Sequence, residues 1–236
     1  MCLILFAISP ADNLPLVVAA NRDEQHARPT EQADYWSDSP NILGGRDIQA
    51  NGTWMGVSTT GRFAAVTNFA EEPPEPMPPR SRGDLTRNFL QGSSTCEQYL
   101  EQVHAQADQY RGFNLVISDG ATTCYYSNRE KRIRILQPGY YGLSNQLLDC
   151  TWAKVTHGRE QLRQTLAAEY GIDSLFDLLA CRGDGSEHSA KFIVGETYGT
   201  RACTVLRITT DAIDFEERNF NPEGIQDSGN QFHFSY

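Results

Sequence analysis

Two uncharged apolar runs joined by a short turn open the chain: CLILFAI, then a turn around PADN, then LPLVVAAN. Apolar runs of this length bounded by turn residues read as buried strands, and Pro, Asp and Asn are the residues that close such turns. The chain therefore begins as an antiparallel hairpin. In such a pair the end of the second strand lies beside the start of the first. That brings the polar run Asn21, Arg22, Asp23 and Glu24 next to Cys2.

Strand character continues through NILGGRD, TWMGVST and RFAAVTN, with turns expected at Gly52 and Gly61. Residues 71–80, EEPPEPMPPR, contain five prolines and are expected as an extended surface loop. GDLTRNFLQG is a short helix candidate. A second helix is expected in SSTCEQYLEQVHAQADQYRG, where Ser94 and Glu97 have capping-box spacing and Tyr99, Val103 and Tyr110 lie towards one face. NLVISDG and TTCYYSN form a hairpin around Asp119 and Gly120, followed by the strands KRIRILQ and YYGLSN. Helical spacing returns in CTWAKVTHGREQLRQTLAAEYG at Val155, Leu162 and Leu166, and again over residues 174–183. KFIVG, ACTVLRITT and AIDFEERNF read as strands, while the tail NPEGIQDSGNQFHFSY is polar apart from its aromatics. Strands grouped at both ends, helices between and no regular βαβ alternation point to an α+β fold of mostly antiparallel sheets.

The length of 236 residues suits one domain spanning the whole chain. With 39% apolar and 21% charged residues, the composition is that of a globular protein. Thirty acidic residues against twenty basic ones give a formal charge of −10, which disfavours nucleic acid and anionic membranes and favours a small-molecule substrate. LILFAI is too short for a membrane span or a secretory core and has no basic residues before it, so a cytoplasmic protein with no membrane insertion is expected. Six cysteines include no CxxC pair. HExxH, GxxxxGK[ST] and GxSxG are absent, and neither a metal nor a cofactor is expected.

Cys2 is the residue whose position carries chemistry. Removal of Met1 would put a thiol and a free α-amine on one carbon. A thiol attacks as thiolate, and an α-amine titrating near pH ~8 can accept its proton and later hand it to a leaving amine. A buried small side chain at a strand start is the alternative. Arg22 beside Cys2 would favour the thiolate or hold a substrate carbonyl, and Asp23 would hold an ammonium or orient the arginine. Asn21 and Glu24 are further substrate-binding candidates. Asn68 and Asn145 each end an apolar strand, where a neutral amide can serve an oxyanion or merely a turn. Arg201, at the entry to ACTVLRITT, would clamp an anion or steady a thiolate.

Cys2, ANRDE, ARP, LGGRDIQANGTWMGV, VTN, the proline-rich loop with SRG, YGLSN and YGTRACTVL occur in this order. Together they resemble the NRDE family, which includes the eukaryotic transport and Golgi organisation proteins. More distantly, the chain is similar to the cysteine N-terminal nucleophile hydrolases. The resemblance implies a four-layer αββα sandwich with Cys2 as nucleophile, Asn145 and Asn68 in oxyanion positions and Arg201 as a late arginine. It implies amidase chemistry on a non-peptide C–N bond, or a rival role on the same framework: binding or trafficking of haem or acyl-coenzyme A metabolites without catalysis. One departure stands out. The hydrolases separate their arginine and aspartate by two residues, whereas Arg22 and Asp23 are adjacent, and neighbours on a strand point to opposite faces.

Overall fold

The computed structural model describes residues 2–71 and 80–235, which form two compact units. Residues 72–79 of the proline-rich segment lie outside the described residues. The first unit takes the chain up to Arg28, Pro138–Ser144 and Leu148–Ser235; the second takes Pro29–Gln137 and Asn145–Leu147.

The opening hairpin forms as the apolar runs require. β1 (Leu3–Ala11) and β2 (Leu14–Gln25) pair antiparallel with Leu3 opposite Asn21 and Ile8 opposite Leu16, and a bulge follows Ile8 before the turn. Every residue of β2 from Leu16 to Asp23 is buried, so both faces of the strand are out of solvent.

The second unit is a seven-stranded meander, β3 (Thr30–Trp36), β4 (Ser39–Asp47), β5 (Met55–Ser58), β6 (Phe63–Asn68), β7 (Phe113–Ser118), β8 (Thr123–Ser127) and β9 (Arg132–Leu136), each antiparallel to the next. Helices α1 (Gly83–Gln91) and α2 (Cys96–Ala105) are inserted between β6 and β7. Leu85 and Phe89 of α1, one turn apart, and Leu100 and Val103 of α2 share a core with alternate strand residues, Ala64 and Val66, Leu115 and Ile117, Cys124 and Tyr126. The 3.6-residue and two-residue periods thus meet in one apolar layer. The expected turn falls just before Gly52, with Asn51 at φ 53°. Gly52 itself is needed where α1 begins: a Cβ there would stand 2.6 Å from the Gly83 carbonyl carbon. The helix α2 is capped one residue later than expected. The Thr95 hydroxyl accepts from Gln98 N and the Gln98 side chain returns to Thr95 N, rather than Ser94 with Glu97.

The chain returns to the first unit through β10 (Gly139–Leu143), followed by α3 (Ala153–Ala167), α4 (Ile172–Leu179), β11 (Tyr198–Ile208), β12 (Ala212–Phe220) and β13 (Gln226–Ser235). Its sheet has the order β10-β1-β2-β11-β12-β13 and is antiparallel throughout. Val155 and Leu162 of α3 and Leu175, Phe176, Leu178 and Leu179 of α4 pack on Leu3, Leu5, Ala7, Val17, Ala19, Cys203 and Val205. The odd-numbered residues of β1 and β2, and of β11 from Cys203 onward, are therefore the helix-facing ones. α3 approaches β1 closely at Gly158, where a Cβ would lie 2.9 Å from Leu5 Cδ1.

Four expectations are corrected. The helix expected over residues 174–183 is α4, which begins two residues earlier and ends at Leu179. KFIVG is not a strand. Lys191 and Phe192 donate their main-chain N–H groups to Cys181 O, and Lys191 Nζ donates to Leu178 O at 2.6 Å, satisfying a carbonyl at the end of α4. The polar tail contains β13, and β3 was not anticipated at all. Both are outermost strands held by main-chain pairing; β13 alternates half-buried with exposed residues and β3 buries only Ala33 and Trp36, so no continuous apolar pattern announces them. Among the described residues no helix is long and apolar enough to cross a membrane.

Candidate active site

Leu3 opposite Asn21 brings Cys2 to the end of β2, as the hairpin argument requires. Cys2 is half-buried. Its Sγ donates a long hydrogen bond, 3.8 Å, to the Asp23 carbonyl oxygen, and its own carbonyl accepts from Ser144 Oγ at 2.7 Å. Ser144 directly follows β10, so the chain start is held on one side by β2 and on the other by the β10 end.

Strand parity sorts the four polar residues. Asn21 is helix-facing and fully buried, and its Nδ2 donates to Leu179 O at 3.0 Å and Lys191 O at 2.8 Å. It ties β2 to the end of α4. Asp23 lies on that same side: Thr200 Oγ1 donates to its Oδ1 at 2.6 Å and accepts from Ile193 N at 2.9 Å. Arg22 points the other way and meets Glu24 at 3.9 Å, while Glu24 also approaches Arg28 at 3.8 Å. No bulge in β2 is needed to bring both charges to bear, because Cys2 sits at the strand end, within electrostatic reach of Arg22 and Asp23 alike. The bulge is on the partner strand instead. Thr200 faces Asp23 and Ala202 faces Arg22, leaving Arg201 as the extra residue. Arg201 Nη1 donates to Gln25 O at 3.3 Å and Arg28 O at 2.5 Å, so it fastens the chain where β2 ends.

Asn68 and Asn145 both belong to the second unit. Asn145 is buried, its Nδ2 donates to Asn68 O at 2.8 Å, and its carbonyl accepts from Ala70 N at 2.7 Å. Asn68 is exposed at the end of β6 and contributes its main-chain oxygen to this contact. In the chain, Asn145 directly follows the Ser144 that holds Cys2.

The electrostatics follow from burial. Burial pushes the Cys2 thiol above its ordinary range and the Asp23 carboxylate adds to this, while the bond to Asp23 O and the Arg22 guanidinium pull down. Burial also pushes Asp23 up to about 6, against the pull of the chain's α-amino group, the Thr200 hydroxyl and, more weakly, Lys154. Lys154, in the first turn of α3, is 1% exposed, and burial lowers its pKa. Lys154, Thr200, Tyr198, whose hydroxyl donates to Asp23 O at 3.3 Å, and Ser144 were all missed as site residues. Thr200 and Tyr198 lie inside the quoted YGTRACTVL, but a lysine in a helix first turn reads as solvated until packing buries it. Among the described residues no cluster of three or more His, Cys, Asp or Glu side chains could hold a metal ion.

The family profile Transport and Golgi organisation 2 matches residues 1–222. The chain belongs to this family. Two mammalian relatives, the Transport and Golgi organization 2 homolog of Mus musculus and the corresponding protein homolog of Homo sapiens, are 33% and 34% identical over 93% of this chain and 93% of their own length. The Drosophila melanogaster Transport and Golgi organization protein 2 is 28% identical over 74% of this chain and 69% of its own. Among solved structures, a Caenorhabditis elegans N-acylethanolamine-hydrolyzing acid amidase ortholog aligns with a TM-score of 0.50 and 11% identity, covering 87% of this chain and 92% of that one. At that identity the likeness is one of fold: an α+β N-terminal nucleophile hydrolase fold with two antiparallel sheets, carried here by a member of the Transport and Golgi organisation 2 family.

Proposed function

We propose that the chain is an N-terminal cysteine amidohydrolase that cleaves a non-peptide C–N amide bond of a small or acyl-bearing substrate, with Met1 removed to expose Cys2. The observation that supports this reading most directly is the placing of the Cys2 thiol at the end of β2 beside Asp23, with Arg22 in electrostatic reach. A thiol held neutral by burial and a nearby carboxylate reacts only with a base at hand, and an α-amine on its own carbon supplies one.

In this scheme the amine takes the thiol proton as sulfur attacks the amide carbonyl. Neutral amide donors stabilise the oxyanion that forms. The ammonium then protonates the leaving amine, the C–N bond breaks, and water hydrolyses the thioester to a carboxylic acid and the free thiol. Asp23 holds the ammonium, and Arg22 faces the substrate side. The expected compartment is the cytoplasm, where unpaired thiols persist, and all six cysteines here are unpaired.

The test combines intact mass with an amide panel that includes N-acylethanolamines, the compounds named for the structural neighbour. The expected results are a protein lighter by one methionine, turnover of at least one amide, and loss of that turnover in Cys2→Ala at unchanged melting temperature. Equal turnover by Cys2→Ala, or an active protein that retains Met1, sinks the reading. A haem titration that shifts with Cys2→Ala, in the absence of any amide turnover, would instead carry the binding role.

A further inference from the structure

Asn21 and Asp23, both buried on the helix-facing side of β2, are tied to the same short stretch of chain. Asn21 Nδ2 donates to Lys191 O at 2.8 Å, and Ile193, two residues on, donates its main-chain N–H to Thr200 Oγ1 at 2.9 Å. Residues 191–193 belong to the segment KFIVG, which forms no strand. Lys191 and Phe192 give their N–H groups to Cys181 O, while Thr200 N donates back to Ile193 O at 2.8 Å. All three N–H groups of this stretch are therefore committed, two to the loop after α4 and one to the Thr200 hydroxyl.

The commitment at Ile193 decides what the Thr200 hydroxyl can do. A hydroxyl has one proton to give. Thr200 Oγ1 accepts from Ile193 N, and its proton goes to Asp23 Oδ1 at 2.6 Å, the short length of a bond to an ionised oxygen. Thr200 is 1% exposed and Asp23 5%, so water does not compete for this bond and the low local dielectric strengthens it. The bulge in β11 makes the meeting possible. Thr200 stands opposite Asp23 across the two strands, but from Cys203 onward it is the odd-numbered residues of β11 that face the helices. Unbroken alternation would turn residue 200 to the other side, and the extra residue, Arg201, restores it to the side of Asp23. The other groups acting on Asp23 are the α-amino group of the chain, which is the stronger cation, Lys154 of α3, and the thiols of Cys2 and, on β11, Cys203. Arg22 stands on the opposite side of β2 with Glu24, and Tyr198 bonds only the Asp23 main-chain oxygen.

We propose that Thr200 is the positioning residue for Asp23: its hydroxyl, accepting from Ile193 N, donates to Asp23 Oδ1 and holds the carboxylate in one orientation beside Cys2. The proposal rests on the amidohydrolase reading in that Asp23 serves the Cys2 amine, and it extends that reading to residues 191–193, which act on the site through one hydroxyl.

The test needs no turnover, so its failure is distinct from failure of the amidase reading. Thr200→Val keeps the branched shape and removes the hydroxyl; Thr200→Ser keeps the hydroxyl and removes the methyl. Carboxyl carbon NMR of the full chain follows the Asp23 titration in both variants and in the unmodified protein. Loss of a donor to the charged form raises a carboxyl midpoint, so Thr200→Val is expected to raise that of Asp23 by about one pH unit or more, a tenfold gain in proton affinity. Thr200→Ser is expected to hold it within about 0.3 unit, whereas a role in packing alone would spare Thr200→Val and disturb Thr200→Ser. A second arm uses the unmodified protein and needs no variant to fold: the Thr200 hydroxyl proton is expected to be visible by proton NMR and to shift with the Asp23 titration. An Asp23 midpoint unmoved in Thr200→Val, an equal or larger shift in Thr200→Ser, or a hydroxyl proton that is absent or indifferent to Asp23 each overturns the proposal.

Discussion

At the scale of single residues, the site is defined by which ionisable groups the fold takes out of water. Asp23 is 5% exposed, and that burial pushes its carboxyl up to about 6, above the range of an ordinary aspartate. Below about pH 4 it is protonated in both the folded and the unfolded chain, and the advantage of the protonated folded form is fully present. As pH rises through about 6 that advantage is lost, because the folded chain must ionise a carboxyl that burial disfavours. Asn in its place stays neutral at every pH. The stability of Asp23→Asn relative to the unmodified protein is therefore expected to increase by on the order of 3 kcal/mol between pH 4 and pH 7.5. Urea unfolding at the two pH values measures it, and a difference independent of pH would show that Asp23 is not the buried titrating group. A gain in stability on removing a charged group is the ordinary signature of a functional site kept against its folding preference.

At the scale of elements, capping and closest approach decide where helices start. The cap of α2 belongs to Thr95, whose hydroxyl meets Gln98 N at 3.3 Å. Thr95→Ala is expected to cost about 1 kcal/mol, and Ser94→Ala less than about 0.5 kcal/mol, in thermal unfolding. Equal losses would return the cap to Ser94. Both serine and threonine satisfy the capping-box residue types, with Glu97 or Gln98 three positions on, so the two frames are chemically degenerate in sequence. The choice is made by packing, since the frame starting at Thr95 turns Cys96, Leu100 and Val103 into the apolar layer. The same kind of constraint places a glycine in the middle of α3, where Leu5 leaves no room for a Cβ at 158.

At the scale of the whole molecule, six cysteines are distributed over two units without a disulfide. Cys96, Cys124 and Cys203 are buried, Cys2 and Cys150 are half-buried, and Cys181 is exposed. Alkylation with iodoacetamide under native conditions is thus expected to add three labels or fewer, and all six only in denaturant, as read by intact mass. Labelling of Cys203 in the native protein would contradict the packing of β11 on α4. Reductant is expected to leave the native mass unchanged. The acidic excess, 30 Asp and Glu against 20 Lys and Arg, makes the few buried cations stand out, and among the described residues these are Arg22, Lys154 and Lys191, all in the first unit.

What the residues alone determined is the part of the fold with strong local periodicity: the apolar hairpin, the β7–β8 hairpin around Asp119 and Gly120, and helices α1 to α3. From the hairpin alone the neighbourhood of Cys2 and Asn21 to Glu24 followed, because an antiparallel register leaves no other place for the end of β2. Edge strands β3 and β13 and the loop at KFIVG were not legible, since main-chain pairing and a lysine capping α4 are independent of side-chain hydropathy. Only the tertiary structure decided which side of β2 each polar residue takes, that Arg201 is a bulge residue tied to Gln25 and Arg28, and that Lys154 is buried near Asp23. Those outcomes depend on which helix covers which face of a strand, and desolvation, the term that sets the charges of Cys2, Asp23 and Lys154, exists only once that covering is in place.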